Sequence, residues 1–234
     1  MLKRLFDMIA SILGIIVLSP IFLLAYLSVK LASSGPAIYR AQRVGRFGET
    51  FVMHKFRTMH VWTGTGSLIT GTKDPRIFLV GRILRALKID ELPQLYDILI
   101  GNMAIVGPRP EDPKIVERYY TSLSRETLSV APGLSSPGSI HYYTHSDLQL
   151  DDDDPERAYV ANLLPIKLAM DLVYLRRTSM RYDLTVILKT AATILLIALG
   201  KRRFAEPPEF AEARELMENS DRPLVVFNGR SGPS

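Results

Sequence analysis

The segment KIDELPQL, residues 88–95, sets two carboxylates side by side, Asp90 and Glu91, just ahead of a proline. Such a pair can divide work at a phosphate: one carboxylate attacks phosphorus as a nucleophile while the other holds a metal ion. It also fits a helix start. The Asp90 side chain is of the N-cap type, able to accept from backbone N–H groups left free in a first turn. Glu91 would lie in that turn, where the helix dipole favours negative charge. Pro93 is tolerated there, because its missing N–H has no intrahelical partner. Leu92, Leu95, Ile98 and Leu99 make an apolar face and Gly101 a stop, so the spacing predicts a helix over 91–100 capped by Asp90. The two readings are compatible, since backbone N–H groups at a helix start also face a bound phosphate.

Two further features carry charge suited to phosphate. In VGPRP, residues 106–110, Arg109 stands between two prolines that restrict the backbone, so its guanidinium can be aimed at little entropic cost. Arginine recognises phosphate bidentately. Residues 30–88 contain eleven Lys and Arg against two acids, Glu49 and Asp74. That block attracts phosphates on lipid, nucleotide or nucleic acid, and Lys55, Arg57, Arg82 and Arg85 are its candidate substrate contacts. A diphosphate needs its charge spread over Arg, Lys and usually Mg²⁺. The chain of 234 residues has net charge +5 and no cysteine, which excludes disulfides and thiolate metal sites. The acidic run at 151–154 lacks the alternating spacing and central Gly of a calcium loop and reads as a solvated loop.

The elements that must position these groups begin with an apolar segment. Residues 8–29 are 22 uncharged positions in a row, enough to cross a bilayer, which takes about 20. Pro20 cannot donate to the carbonyl of Ile16, so Ser19-Pro20 breaks the run, and the Ser19 hydroxyl is a partner for the freed backbone. Lys3 and Arg4 precede the run; Lys30, Arg40, Arg43 and Arg46 follow it. Positive charge marks the cytoplasmic side, which favours a helix that enters, breaks and returns over a kinked span. After the Ser33-Ser34-Gly35-Pro36 turn, strand-forming runs around Gly45 and Gly48 predict a hairpin. Residues 61–76 read as a Gly/Thr loop. Helices are expected over 76–89, with Arg82 and Arg85 on one face, over 114–128, 159–178 and 183–199, and 131–158 reads as irregular. The 183–199 segment is short for a span and is basic on both flanks, so it fits an interfacial helix and a core helix equally well. Beyond 204 the expectation is a loose helix and then disorder.

GPAIYRAQRVGRFGETFVMHKFRTM, GRILRALKIDELPQLYDILIGNMAIVGPRP and APGLSS, with the N-terminal KRLFD and the later MDLVYLRRTSMRYDLTVILKT, resemble the bacterial sugar transferases, small monotopic phosphoglycosyl transferases. The resemblance covers roughly residues 1–200. It implies an α+β, mainly helical fold: a re-entrant membrane helix broken at Ser19-Pro20, interfacial helices and a small β-hairpin in a compact cytoplasmic-face domain. It further implies transfer of a sugar 1-phosphate from a UDP-sugar to a polyprenol phosphate, with Mg²⁺ required and UMP released, at the start of glycan assembly. Carried over, Asp90 is the covalent nucleophile and Glu91, with Asp90 beside it, the metal site. Arg109 lies near the nucleotide and phosphates, and Lys55, Arg57, Arg82 and Arg85 match basic positions around the site. Two departures stand out: Ser135 and Ser136 follow Pro132-Gly133-Leu134 where the family has Thr-Gly, and Lys88 stands where Ser or Thr is commoner. The first leaves the sugar open.

The expected organisation is 1–32 as the re-entrant membrane helix, 33–203 as the catalytic domain with interfacial helices, and 204–234 as a polar tail. The expected partners are a UDP-sugar donor, a polyprenol phosphate acceptor and membrane lipid at the bacterial inner membrane, with a homodimer left open. The competing reading is a catalytically silent scaffold that holds anionic lipid on its basic face. No nucleic acid is expected, since the basic block lacks a recognisable binding module.

Overall fold

The computed structural model describes residues 2–61, 74–145, 154–220 and 222–226. Positions 62–73 of the expected 61–76 loop therefore lie outside the described residues, as do positions 151–153 of the acidic run.

The apolar segment forms two helices, α1 (Leu2–Val17) and α2 (Ser19–Ala32), bent by 63° at the break. The bend has the cause expected from the sequence. Pro20 leaves the Ile16 carbonyl without its helical donor, and the Ser19 hydroxyl donates to that carbonyl at 2.8 Å. One side of the pair packs inward. Ile15, Leu18 and Phe22 sit against Ala41, Met53, Leu95 and Ile98, while Ala25 and Val29 join Phe56, Phe78 and Leu84. The other side leaves Leu13, Ile16, Val17, Leu23 and Leu24 exposed.

The predicted hairpin is present as β1 (Ile38–Val44) and β2 (Thr50–Phe56), antiparallel with Ala41 opposite Met53. Next come α3 (Leu79–Ala86), a 3₁₀ turn (Ile89–Glu91) and α4 (Gln94–Ile100), which Gly101 ends at φ 99°. A second pair of strands, which the sequence reading had not foreseen, follows: β3 (Ala104–Val106) lies parallel to β4 (Gly133–Ser135). Here the two backbones touch. A Cβ on Gly133 would stand 2.1 Å from the Gly107 nitrogen, so VGPRP and APGLSS are held together at a point only glycine can occupy.

Two of the expected elements differ. The helix expected over 114–128 is α5 (Pro113–Tyr119), followed by a 3₁₀ segment (Ser124–Ser129). The Ser124 hydroxyl accepts from the Thr121 N–H at 2.7 Å and donates to the Thr121 carbonyl at 3.1 Å, drawing the backbone out of the helix. The irregular stretch 131–158 contains β4, α6 (Pro137–His145) and α7 (Pro155–Ala158). Ser136 begins α6, accepting from the Ser139 N–H at 2.9 Å with Pro137 in the first turn, and Asp154 likewise accepts from the Arg157 N–H at 3.0 Å.

A π-helical turn (Tyr159–Leu163) leads into α8 (Leu164–Arg176), whose residues 166–174 are all buried; it is the core helix of the domain. In α9 (Met180–Ala198), Asp183 and Val186 alone are buried, while Leu184, Leu188, Leu195 and Leu196 are exposed. That excludes the core-helix alternative. The expected loose tail is instead docked in part: α10 (Glu209–Asn219) packs on α8 with Ala213 fully buried.

Candidate active site

The dyad is not a helix cap. Lys88 adopts a left-handed backbone, φ 58°, which ends the chain path from α3 and throws Ile89–Glu91 into a 3₁₀ turn. Asp90 makes no capping bond, and α4 begins only after Pro93. Pro93 itself takes the N-cap position of α4 with a right-handed helical backbone, φ −59° and ψ −19°, where its missing N–H costs no intrahelical bond. Both carboxylates are buried, and Asp90 Oδ1 has no hydrogen-bond partner among the described residues.

Several tethers hold this turn in place. His54 of β2 binds Asp97 of α4 twice, through its backbone N–H at 2.8 Å and Nδ1 at 2.7 Å. Arg4 of α1 donates to the carbonyls of Ile98 and Leu99, the end where the dipole of α4 favours a cation. Lys3 donates to the Val106 carbonyl at 3.0 Å and pairs with Asp183, which also accepts from Tyr174 at 2.7 Å. The N-terminal helix, the Pro-Arg-Pro turn and α9 thus meet at the end of β3.

Glu91 is the hub of the site. Arg109 donates to both its oxygens, with Nη1 at 3.2 Å from Oε2; Lys55 and Lys88 reach Oε1 at 3.3 and 3.4 Å. Burial alone would raise the Glu91 carboxyl, but Arg109, Lys88 and Lys55 outweigh it and hold it well below the usual carboxylate range. Asp90 moves the other way: burial and then the charge of Glu91 raise it, against Lys55, Lys88 and Arg85. Burial lowers Lys55 to about 8, against the pull of Glu91. One carboxylate is therefore locked and ionised, and its neighbour has an unpartnered oxygen, Oδ1, and is more basic.

The dyad opens on a cleft of about 1440 Å³ lined by Arg40, Arg43, Arg82, Arg85 and Arg109 as well as Lys55. Arg82 is exposed on its wall. Arg85 is half-buried and donates to Thr58 Oγ1 at 2.8 Å. Arg57 also borders the cleft, but its guanidinium is turned to the backbone: Nε donates to Pro36 O at 2.6 Å and Nη2 to Ser33 O at 2.8 Å. The structure thus brings Asp90, Glu91, Arg109 and Lys55 together, sets Arg82 and Arg85 on the wall, and gives Arg57 to the turn after α2.

The sequence profile of the bacterial sugar transferases matches residues 1–196. The chain belongs to that family. It is 35% identical over 191 residues to a UDP-glucose:undecaprenyl-phosphate glucose-1-phosphate transferase of Klebsiella pneumoniae, covering 80% of this chain and 39% of that protein. It is 34% identical over 197 residues to a protein of the same name from Caulobacter vibrioides, covering 82% and 69%. An exopolysaccharide production protein of Sinorhizobium fredii is 34% identical over 213 residues, covering 83% and 85%. The chain spans about two-fifths of the length of the Klebsiella relative.

Within this family member, sequence reasoning missed two groups at the dyad. Lys88 was seen as a departure, but not as a second cation on Glu91. Its Nζ also lies 4.5 Å from the centre of the Tyr143 ring. Tyr143, on α6, is pushed up to about 12 by burial and by the charges of Glu91 and Asp90. Behind Arg109, Glu111 pairs with Lys167 at 2.6 Å, and both bond Tyr159.

Proposed function

We propose that this chain transfers a sugar 1-phosphate from a UDP-sugar to a polyprenol phosphate through a covalent intermediate on Asp90. The observation that carries the reading is the asymmetry of the dyad: Asp90 Oδ1 is buried without a partner at the foot of a basic cleft, while Glu91 beside it is fixed by three cations. A carboxylate oxygen of Asp90 forms a bond to the sugar-side phosphorus, and the bridging oxygen leaves with its electron pair on UMP. Arg109 and Lys55 are placed to take up the charge that develops on the departing phosphate. A phosphate oxygen of the polyprenol phosphate then bonds the same phosphorus, and the Asp90 oxygen leaves. The product is a sugar diphosphate on the polyprenol, and Asp90 returns as a carboxylate.

The donor set also suits Mg²⁺. This cation takes one or two carboxylates together with substrate phosphates; Asp90 Oδ1 is without a partner, and Glu91, adjacent on the same turn, would have to release an oxygen from Arg109 to join it. Bound there, Mg²⁺ supplies charge neutralisation to the diphosphate.

The same contacts support a membrane disposition. Lys3 and Arg4, ahead of the broken helix pair, are docked on the domain that continues from α2, and Lys30 donates to Gly35 O at 3.2 Å. Both ends therefore belong to one side, which supports re-entry from the cytoplasmic face of the inner membrane over a crossing. At about 1.5 Å per residue, the 16-residue α1 is too short to span the ~30 Å hydrocarbon layer alone. The exposed leucines of α9 suit the headgroup boundary.

The test is UMP release from a panel of UDP-sugars with polyprenol phosphate and Mg²⁺. Release with one sugar, lost in Asp90→Asn, is expected. No release with any sugar would return the silent-scaffold reading.

A further inference from the structure

Away from the dyad, α6 presents His141 and His145, one helical turn apart on one face, to Glu206 in the chain leading to α10. His141 Nε2 lies 3.2 Å from Glu206 Oε2, His145 Nε2 lies 4.0 Å from Glu206 Oε1, and one ligand atom from each residue falls within 4.8 Å of the others. The tautomer of His145 is set by its other nitrogen. Nδ1 stands 2.7 Å from Thr144 Oγ1 and 3.2 Å from the His141 carbonyl. The carbonyl can only accept, and the Thr144 hydroxyl has acceptors of its own at Ile140 O and His141 O, which favours the proton on Nδ1. In the neutral ring, Nε2 is then a lone pair turned toward a carboxylate, which also only accepts. An Nδ1–H donated to a backbone carbonyl is the arrangement that orients a metal-ligating imidazole.

We propose that His141, His145 and Glu206 bind a divalent first-row transition metal of the Zn²⁺ class. Two imidazoles and a carboxylate suit such an ion, with the fourth position left to solvent. Tetrahedral bonds of about 2.0–2.1 Å put ligand atoms roughly 3.3 Å apart, so the His141–Glu206 edge already has the right length. Glu206 is exposed on irregular chain and can close its edge with His145, now 4.0 Å. Its neighbour Glu209 is engaged elsewhere, by Tyr182 at 2.6 Å and Lys189 at 3.5 Å. Glu206 lies beyond the residues matched by the family profile, 1–196. Its effect is to clip the segment after α9 to α6. That segment lines the cleft through Lys201, Arg202 and Phe204, and α6 carries Tyr143 beside Lys88. The buried face of the cluster is closed by Phe210, stacked on His141 at 5.1 Å.

The full chain in detergent, stripped with a chelator, is titrated with Zn²⁺ by calorimetry and with Co²⁺ by its visible absorption. One equivalent is expected, with affinity lowered about tenfold or more in His145→Ala and in Glu206→Gln. The same equivalent is expected in Asp90→Asn/Glu91→Gln, which separates this site from the dyad. His141 is buried and its loss can unfold the chain; the other two variants, checked by thermal melting, carry the test. At equal concentration Zn²⁺ should raise the melting temperature of the wild type more than that of either variant. Absence of binding by the wild type, or binding unchanged in both variants, overturns the proposal and leaves a shared proton as the cluster's occupant.

Discussion

Two buried glutamates flank the Pro-Arg-Pro turn. Glu111 accepts from Lys167 and Tyr159, which bond each other at 3.0 Å: one cation for one anion, closed by a phenol. Glu91 meets Lys55, Lys88 and Arg109, three cations against the two carboxylates of the dyad, with an oxygen of Asp90 left unpartnered. The Glu111 set is closed by its own hydrogen bonds, with the buried Asp171 also facing Lys167, and it braces the turn that carries Arg109. The Glu91 set has a surplus positive charge before Arg82 and Arg85 are counted, and a diphosphate would complete it. Balanced burial marks a structural pair, and imbalance in a cleft marks a place for a ligand.

The largest expected effect comes from Asp90→Asn. UMP release should fall at least about 10³-fold, while the thermal melt holds, because a neutral amide replaces a carboxylate that burial disfavours. Arg109→Lys should cost roughly 10²-fold in kcat/KM, since a point charge cannot reproduce two bonds to Glu91 and a phosphate together. A paired experiment then sets the two clusters against each other. Lys167→Met should destabilise the fold by about 3–5 kcal/mol in denaturant melts, because Glu111 is left charged and buried. Lys55→Met should cost less than about 1 kcal/mol, because Glu91 keeps two cations, and should raise the donor KM roughly tenfold. Equal stability losses in the two variants would break the comparison.

The smallest effect is one of pH. Lys55 titrates near 8 in the folded chain against an ordinary 10.5. Below about 8 it is charged in both states. Between the two values the unfolded chain holds the proton and the folded chain does not, so this group's contribution to stability rises with pH over that window. Donor binding loses a cation over the same range. Donor affinity and this stability contribution should therefore move in opposite directions above pH 8, and Lys55→Met should abolish both trends, read as KM and melting temperature.

The parts of this site written in adjacent residues were legible. Ser19-Pro20 gave the break and its repair, Gly45 and Gly48 the hairpin, and Gly101 the end of α4. What the sequence did not disclose depends on contacts between distant segments. β3 and β4 are three residues each, too short for a pattern, and their pairing rests on the approach of Gly107 to Gly133. Lys88 gave no sign of its left-handed backbone, so the Asp90 cap was expected where a 3₁₀ turn stands. Tyr143 reaches the dyad only because α6 folds over it, and Ser136-Pro137, a legible helix start, was passed over inside a polar stretch. Arg57 had the composition of a phosphate contact, but the carbonyls of Ser33 and Pro36 claim it.

The central claim is the covalent role of Asp90. Intact-mass and peptide mass spectrometry after incubation with the UDP-sugar that releases UMP, without polyprenol phosphate, tests it directly. The account predicts one sugar phosphate added to the peptide bearing residues 88–95, absent in Asp90→Asn and discharged when polyprenol phosphate is added. UMP release without that adduct, or an adduct that persists in Asp90→Asn, would contradict it.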